Sequence, residues 1–279
     1  MSAEFWIAQS FNGLSYGALL FLLASGLSLI FGVMRIVNLA HGSYFMLGGY
    51  VGLTVALRTN SFVLACLAGA VAIALVGMGM ERFFLRRLRG EVLGQVLMTI
   101  GFALIFQDLA LLIWGGDPYT VPIPKMLTGT VRAGGAVFPI YRIFIVGVAV
   151  VVGLALWLAM DRTRVGAMIR AAVDDAEMAQ GVGINVPRVS LFVFALGGVV
   201  GGGFLGVYPG ADFEVLPYAF VVVIVGGLGS LPGAVAGSLL VGLLDNFGKA
   251  LFPELSYFTL FAPMAIILAI RPTGLFGRV

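Results

Sequence analysis

The stretch DRTRVGAMIRAAVDDAEMAQGVGINVPR, Asp161 to Arg188, is the longest charged interruption in an otherwise almost wholly apolar chain. It holds four of the sixteen basic residues and four of the thirteen acidic ones. The side of the membrane on which it lies fixes the topology of everything else. Its centre, 167–182, reads as a short amphipathic helix: Ala-rich, with apolar Met168, Ile169, Val173 and Met178, and acids at 174, 175 and 177. Gly181 and Gly183 stop that helix and Pro187 restarts the chain. Two readings fit: a solvated linker between spans, or a docking helix that a soluble partner grips and pushes.

Working outward, hydrophobic residues make up 61% of the 279 and charged residues 10%, against about 45–50% and 25% in a soluble domain. The chain is therefore an integral membrane protein. Apolar runs of roughly 20 residues suit α-helical spans across a hydrocarbon core about 30 Å thick. Barrel strands would instead alternate over segments of about ten residues. The 40 glycines suit close helix packing in lipid. Cys66 is the single cysteine, so no internal disulfide forms. With one histidine and one cysteine, no zinc cluster is expected. The N-terminus shows no cationic region or cleavage site of a removable signal peptide. The net charge of +3 comes mainly from inner-face loops and gives no sign of nucleic acid as a partner.

Hydropathy places spans at about 12–33, 36–57, 61–82, 93–114, 141–160, 189–208, 215–229, 233–251 and 257–271. If 161–188 is cytoplasmic, eleven basic residues fall inside, among them Arg35, Arg82, Arg86, Arg87, Arg89, Arg271 and Arg278. Five fall outside: Arg58, Lys125, Arg132, Arg142 and Lys249. The positive-inside rule then sets the N-terminus out and the C-terminus in. Asp117, Asp212, Glu214 and Glu254 fall outside, with Trp6 and Trp114 near the outer interface. The fold expected is all-α: a polytopic helical membrane protein of about eight or nine transmembrane segments with broken helices. It forms a single transmembrane domain over 1–279, with an external loop at 115–140 and a cytoplasmic loop at 161–188. The Pro and Gly of 115–140 argue against a span there. Three readings fit that loop: a cover over the outer mouth, a surface that meets a soluble binding protein, or an ordered plug packed on the helix bundle.

Two breaks interrupt the helices, one in each half: Phe31 to Ser43, and Gly226-Gly227-Leu228-Gly229-Ser230-Leu231-Pro232-Gly233. Paired broken helices point to a substrate path in transporters built from repeats; simple helix packing is the other reading. Ionisable or amide groups within spans are few: Asn38, His41, Gln107, Asp108, Asp245 and Asn246. Such groups tend to face a cavity or the bundle interior. Candidate path residues are Asn38, His41 and Gly42 at the first break and Gly226, Gly227, Gly229 and Ser230 at the second. Gly198, Gly202 and Gly206 share one helix face, a pattern of close backbone approach.

Enzymatic signatures are nearly absent. Gly248-Lys249 lacks the upstream glycine and the following Ser or Thr of a P-loop. Gly13-Leu14-Ser15-Tyr16-Gly17 matches G-x-S-x-G. However, Ser15 is expected near the outer end of span one and His41 near the inner end of span two, roughly 20 Å apart by helix rise. Nucleophile and base need hydrogen-bond reach, so Gly13 and Gly17 read better as small-residue packing.

Three motifs carry a resemblance: VNLAHGSYFMLGGYVG (Val37 to Gly52), RAAVDDAEMAQGVGINVPRV (Arg170 to Val189) and VVIVGGLGSLPGAVAGSLLVGLL (Val222 to Leu244). Together they resemble the membrane permease subunits of branched-chain amino acid ABC importers, and more closely the shorter of the two permeases. The resemblance runs from about Ser15 to Gly274. It implies a second homologous permease, two cytoplasmic ATPase subunits, a periplasmic binding protein and a bacterial inner-membrane location. ATP hydrolysis falls to a partner chain, and no cofactor is expected in this one. The stretch Ala171 to Ile184 matches the family's coupling segment. On that resemblance Arg170, Ala171, Ala172, Asp174, Asp175, Glu177, Gly183 and Ile184 are the expected ATPase-coupling residues, with Arg170 and Arg188 framing the acids and available to partner acids. The implied cargo is a branched-chain or similar small, partly hydrophobic amino acid. A self-sufficient channel for a small neutral solute such as urea or a short amide is the competing reading.

Overall fold

A computed structural model of the chain describes residues 2–34, 38–88, 90–133, 135–174, 181–183 and 207–277. These hold nine α-helices: α1 (Ala3–Met34), α2 (His41–Thr59), α3 (Phe62–Phe83), α4 (Val92–Trp114), α5 (Ile140–Arg162), α6 (Arg164–Asp174), α7 (Ala211–Gly226), α8 (Leu231–Leu251) and α9 (Ser256–Ile270). A hairpin of β1 (Thr130–Ala133) and β2 (Ala136–Pro139) pairs antiparallel, Val131 opposite Phe138. This hairpin is a small addition to an otherwise all-α chain. Its four-residue strands are too short to show alternation in sequence, and Gly135 turns between them at φ +81°.

Five helices are long and apolar enough to cross a membrane: Ala3–Phe31 of α1, and α3, α4, α5 and α8. The expected eight or nine spans reduce to these five among the described residues. The 19 residues of α2 include His41, Ser43 and Arg58, while α7 and α9 have 16 and 15. Residues 189–206 of the expected 189–208 span, with its packing glycines, lie outside the described residues.

Boundaries shift for local reasons. At 32 residues α1 begins well before the expected position 12. The second helix begins at His41, not 36. Asn38 folds the approach into a turn, its carbonyl accepting the His41 N–H at 3.2 Å and its Oδ1 the Ala40 N–H at 3.0 Å. Asn side chains commonly compete with helix in this way. α7 starts at Ala211, four residues earlier than expected, so Asp212 and Glu214 occupy its first turn, where the helix dipole favours acids.

The residues form two compact units. One comprises Ser25–Pro122 and Ala155–Pro217. In it α2 packs along α3: Gly69 meets the Gly48 carbonyl, which a Cβ would approach to 2.8 Å. Its core gathers Ile30, Tyr44, Ile73, Met80, Leu85, Ala103 and Phe106. A second cluster holds Met46, Tyr50, Leu53, Ala110 and Val207. There Tyr50 stacks on Trp114 at 4.8 Å, and Trp114 Nε1 donates to Thr54 Oγ1 at 2.8 Å. Tyr119 and Val207 exchange backbone bonds at 2.9 Å.

The other unit comprises Met1–Ala24, Ile123–Leu154 and Tyr218–Val279. Here α1 crosses α8 backbone to backbone. A Cβ on Gly17 would lie 2.7 Å from the Ser238 carbonyl, and one on Gly242 would lie 2.5 Å from Gly17. Gly13 faces Leu243 at the same seam. Gly13 and Gly17 are thus packing residues, and Ser15 Oγ donates to the Phe11 carbonyl at 2.8 Å within its own helix.

Candidate functional site

The central polar stretch forms a tight corner. α5 ends at Arg162, and Thr163 starts α6 by accepting the Gly166 N–H on Oγ1 at 3.1 Å. Gly166 lies so close to the Ala159 and Met160 carbonyls that no side chain fits there. Arg170 reaches back one α6 length: Nη1 donates to the Met160 carbonyl and lies 3.6 Å from Asp161 Oδ1. The guanidinium thereby satisfies a carbonyl that the helix end leaves open. Ile169 is buried, Val165 and Met168 are half-buried, and Arg164, Ala167 and Arg170 are exposed. An amphipathic helix is described over Arg164–Asp174, beginning at 164 and not 167; residues 175–180 of the expected 167–182 helix lie outside the described residues.

Of the expected coupling residues, Arg170 lies 3.6 Å from its own chain's Asp161 and is exposed. Ala171 is half-buried. For Ala172 and Asp174 only the helical backbone is described. Gly183 occupies a turn at φ +86°. Asp175, Glu177 and Ile184, and Arg188, lie outside the described residues. Thr163 and Gly166, which build the corner, went unnoticed in the sequence, although a Thr three residues before a glycine inside a polar loop is a readable N-cap.

The candidate path residues divide between the two units. Asn38, His41 and Gly42 belong to the first-described unit and are buried. Gly42 touches the Asp212 carbonyl so closely that a Cβ is excluded. Beside it, the Ser43 hydroxyl donates to Asp212 Oδ2 at 2.7 Å. Asp212 is 2% exposed, and its Oδ1 has no hydrogen-bond partner among the described residues. The first turns of α2 and α7 therefore lie at one level. This corrects the sequence reading, which put Asp212 outside and His41 near the inner end of its span. Leu39 N–H donates to Thr99 Oγ1 at 3.3 Å, tying the same turn to α4.

Gly226, Gly227, Gly229 and Ser230 belong to the other unit and close the α7–α8 turn. Gly227 and Gly229 adopt φ +108° and +76°, which glycine alone tolerates cheaply. Ser230 Oγ accepts the Gly233 N–H at 3.1 Å and caps α8. The C-terminal residues lie on this turn: Leu275 and Phe276 N–H donate to the Val225 and Gly226 carbonyls at 2.9 and 2.8 Å. Both breaks expected from sequence are present, and at the second one backbone contact accounts for Gly226 and Gly227.

A further polar cluster sits in that unit. Lys249 Nζ lies 2.7 Å from Asp245 Oδ2 and 5.7 and 5.4 Å from the Tyr16 and Tyr218 ring centres. Asn246 Nδ2 donates to the Gln9 carbonyl at 2.9 Å. Among the described residues, no group of three or more His, Cys, Asp or Glu is placed to hold a metal.

Over residues 9–269 the chain matches the family described as branched-chain amino acid transport system / permease component. It is 31% identical to the high-affinity branched-chain amino acid transport system permease protein BraD of Pseudomonas aeruginosa, over 98% of this chain and 96% of the relative. It is 30% identical to the permease protein LivH of Escherichia coli K12, covering 100% and 98%. The ribose import permease protein RbsC of the same organism is 25% identical, covering 95% and 84%. No solved structure matches the chain.

Proposed function

The chain belongs to the family of permease components of branched-chain amino acid transport systems, and from that premise we propose that it forms part of the translocation path of an ATP-driven importer for branched-chain amino acids. It is a multi-pass inner-membrane transport subunit and not an enzyme; ATP is hydrolysed by separate subunits. The match across almost the whole chain carries this reading.

The finer assembly is part of the proposal: a second, homologous permease, two cytoplasmic ATPases and a periplasmic binding protein, with the N-terminus out and the C-terminus in. The α5–α6 corner supports the placement of the coupling segment. Gly166 and Arg170 fasten α6 to the end of α5, so a displacement of α6 is passed to a helix long enough to span. Rigid-body motion of this kind converts a small push into a change of access. In this reading Arg170, Ala171, Ala172, Asp174, Asp175, Glu177, Gly183 and Ile184 meet the ATPase. Asn38, His41 and Gly42, with the Gly226 to Ser230 turn, border the path.

Affinity purification of the chain from its own membrane in mild detergent, followed by mass spectrometry, tests the assembly. Recovery of a P-loop ATPase and a second permease in matched amounts is expected. Recovery of this chain alone as a stable homo-oligomer would favour a self-sufficient channel.

A further inference from the structure

We propose that Asp212 is the acceptor for the α-ammonium group of the amino acid passing through this chain. This rests on the importer reading above.

The Asp212 carboxylate is 2% exposed, and the Ser43 hydroxyl occupies only Oδ2, at 2.7 Å. Oδ1 is buried with no partner, and no ion pair reaches Asp212 among the described residues. The backbone N–H groups of Asp212 and Phe213 also favour the carboxylate, but no cation among the described residues meets it, and a buried charge without a counter-charge is costly. In a membrane protein such an acid marks a path by default. An ammonium group supplies both a charge and the N–H donors that Oδ1 lacks.

The surroundings suit the rest of a zwitterion. The carboxylate stands at the first turn of α2, whose N-cap, Ala40, offers no side-chain cap. That turn carries the positive end of a helix dipole and backbone N–H groups, as an α-carboxylate requires. Ser43 holds the acid in orientation, and the missing side chain at Gly42 lets the two first turns meet. A neutral amide would leave the charge on Asp212 uncompensated; an α-amino acid would not.

The test uses the complex purified from its own membrane, in lipid nanodiscs and without a binding protein. It is titrated with leucine and with 4-methylpentanoate, which keeps the branched chain and the carboxylate but lacks the ammonium. Wild type is expected to prefer leucine by about tenfold or more. Asp212→Asn removes that preference by weakening leucine alone, and Asp212→Glu keeps part of it. Equal loss for both ligands, or no change for either, overturns the proposal. If Asp212→Asn fails to assemble, Ser43→Ala is read instead: a reduced preference supports the proposal and an unchanged one overturns it. ATP-driven leucine uptake by wild type separates the two levels. Uptake with an indifferent Asp212→Asn sinks this inference alone, whereas no wild-type uptake sinks the importer reading and this inference with it.

Discussion

The Ser43 hydroxyl donates to Asp212 Oδ2 at 2.7 Å, joining the first turn of α2 to the first turn of α7 across 169 residues of sequence. Next to that bond, Gly42 lies directly against the Asp212 carbonyl. One polar bond and one backbone contact thus position the buried acid together.

Gly42→Val places a branched side chain on the Asp212 backbone. Overpacking of this kind costs about 1–3 kcal/mol, and the complex should unfold at a lower temperature. Gly79, where a Cβ meets nothing within 4 Å, is the control: Gly79→Ala should be neutral or slightly stabilising, because Ala is the better helix former. A thermal melt of the two variants beside wild type decides this.

Arg170→Ala should separate stability from coupling. The Arg170–Asp161 pair is about half exposed on both sides, and exposed pairs contribute only about 0–1 kcal/mol. The melting temperature should move little. Loss of the tie between α6 and the end of α5 should nonetheless lower the amino acid moved per ATP hydrolysed, by about fivefold or more if the corner carries the coupling free energy. Parallel assays of uptake and phosphate release measure the ratio.

Thr54→Val leaves Trp114 Nε1 without the acceptor it has at 2.8 Å. An indole N–H deprived of its partner costs about 1–3 kcal/mol. The Tyr50–Trp114 stack should loosen, and Trp fluorescence of the folded protein should shift together with the drop in thermal stability.

Ser15→Ala should leave uptake within about twofold of wild type, since the hydroxyl makes only a local bond to Phe11 four residues back in its own helix. Gly17→Val, two residues on, should prevent stable assembly, because its side chain would enter the Ser238 backbone. A size-exclusion profile and an uptake assay of both variants check the contrast.

Much of this architecture is legible in the sequence where a local rule forces it. The second break is one such place: Gly227 and Gly229 take positive φ, and Ser230 caps the helix that Pro232 and Gly233 open. Gly13 and Gly17 are another, because spacing by four puts both on one helix face. The polar bond between Ser43 and Asp212 is not legible: the residues are far apart in sequence, and neither belongs to a periodic pattern. The start of α2 was misplaced because a single Asn38 turn overrides an apolar run. The hairpin was missed because its strands are short. The Thr163 cap is legible in principle, as a Thr three residues before Gly166, whereas the reach of Arg170 back to the end of α5 is not, because it depends on how the two helices meet.

The most direct test of the account is accumulation of labelled leucine in proteoliposomes, with this chain alone and with the complex that copurifies with it. Concentrative uptake is expected only with the complex, its binding protein and ATP, with no flux through this chain alone. Leucine flux through the chain alone, indifferent to ATP, would contradict it.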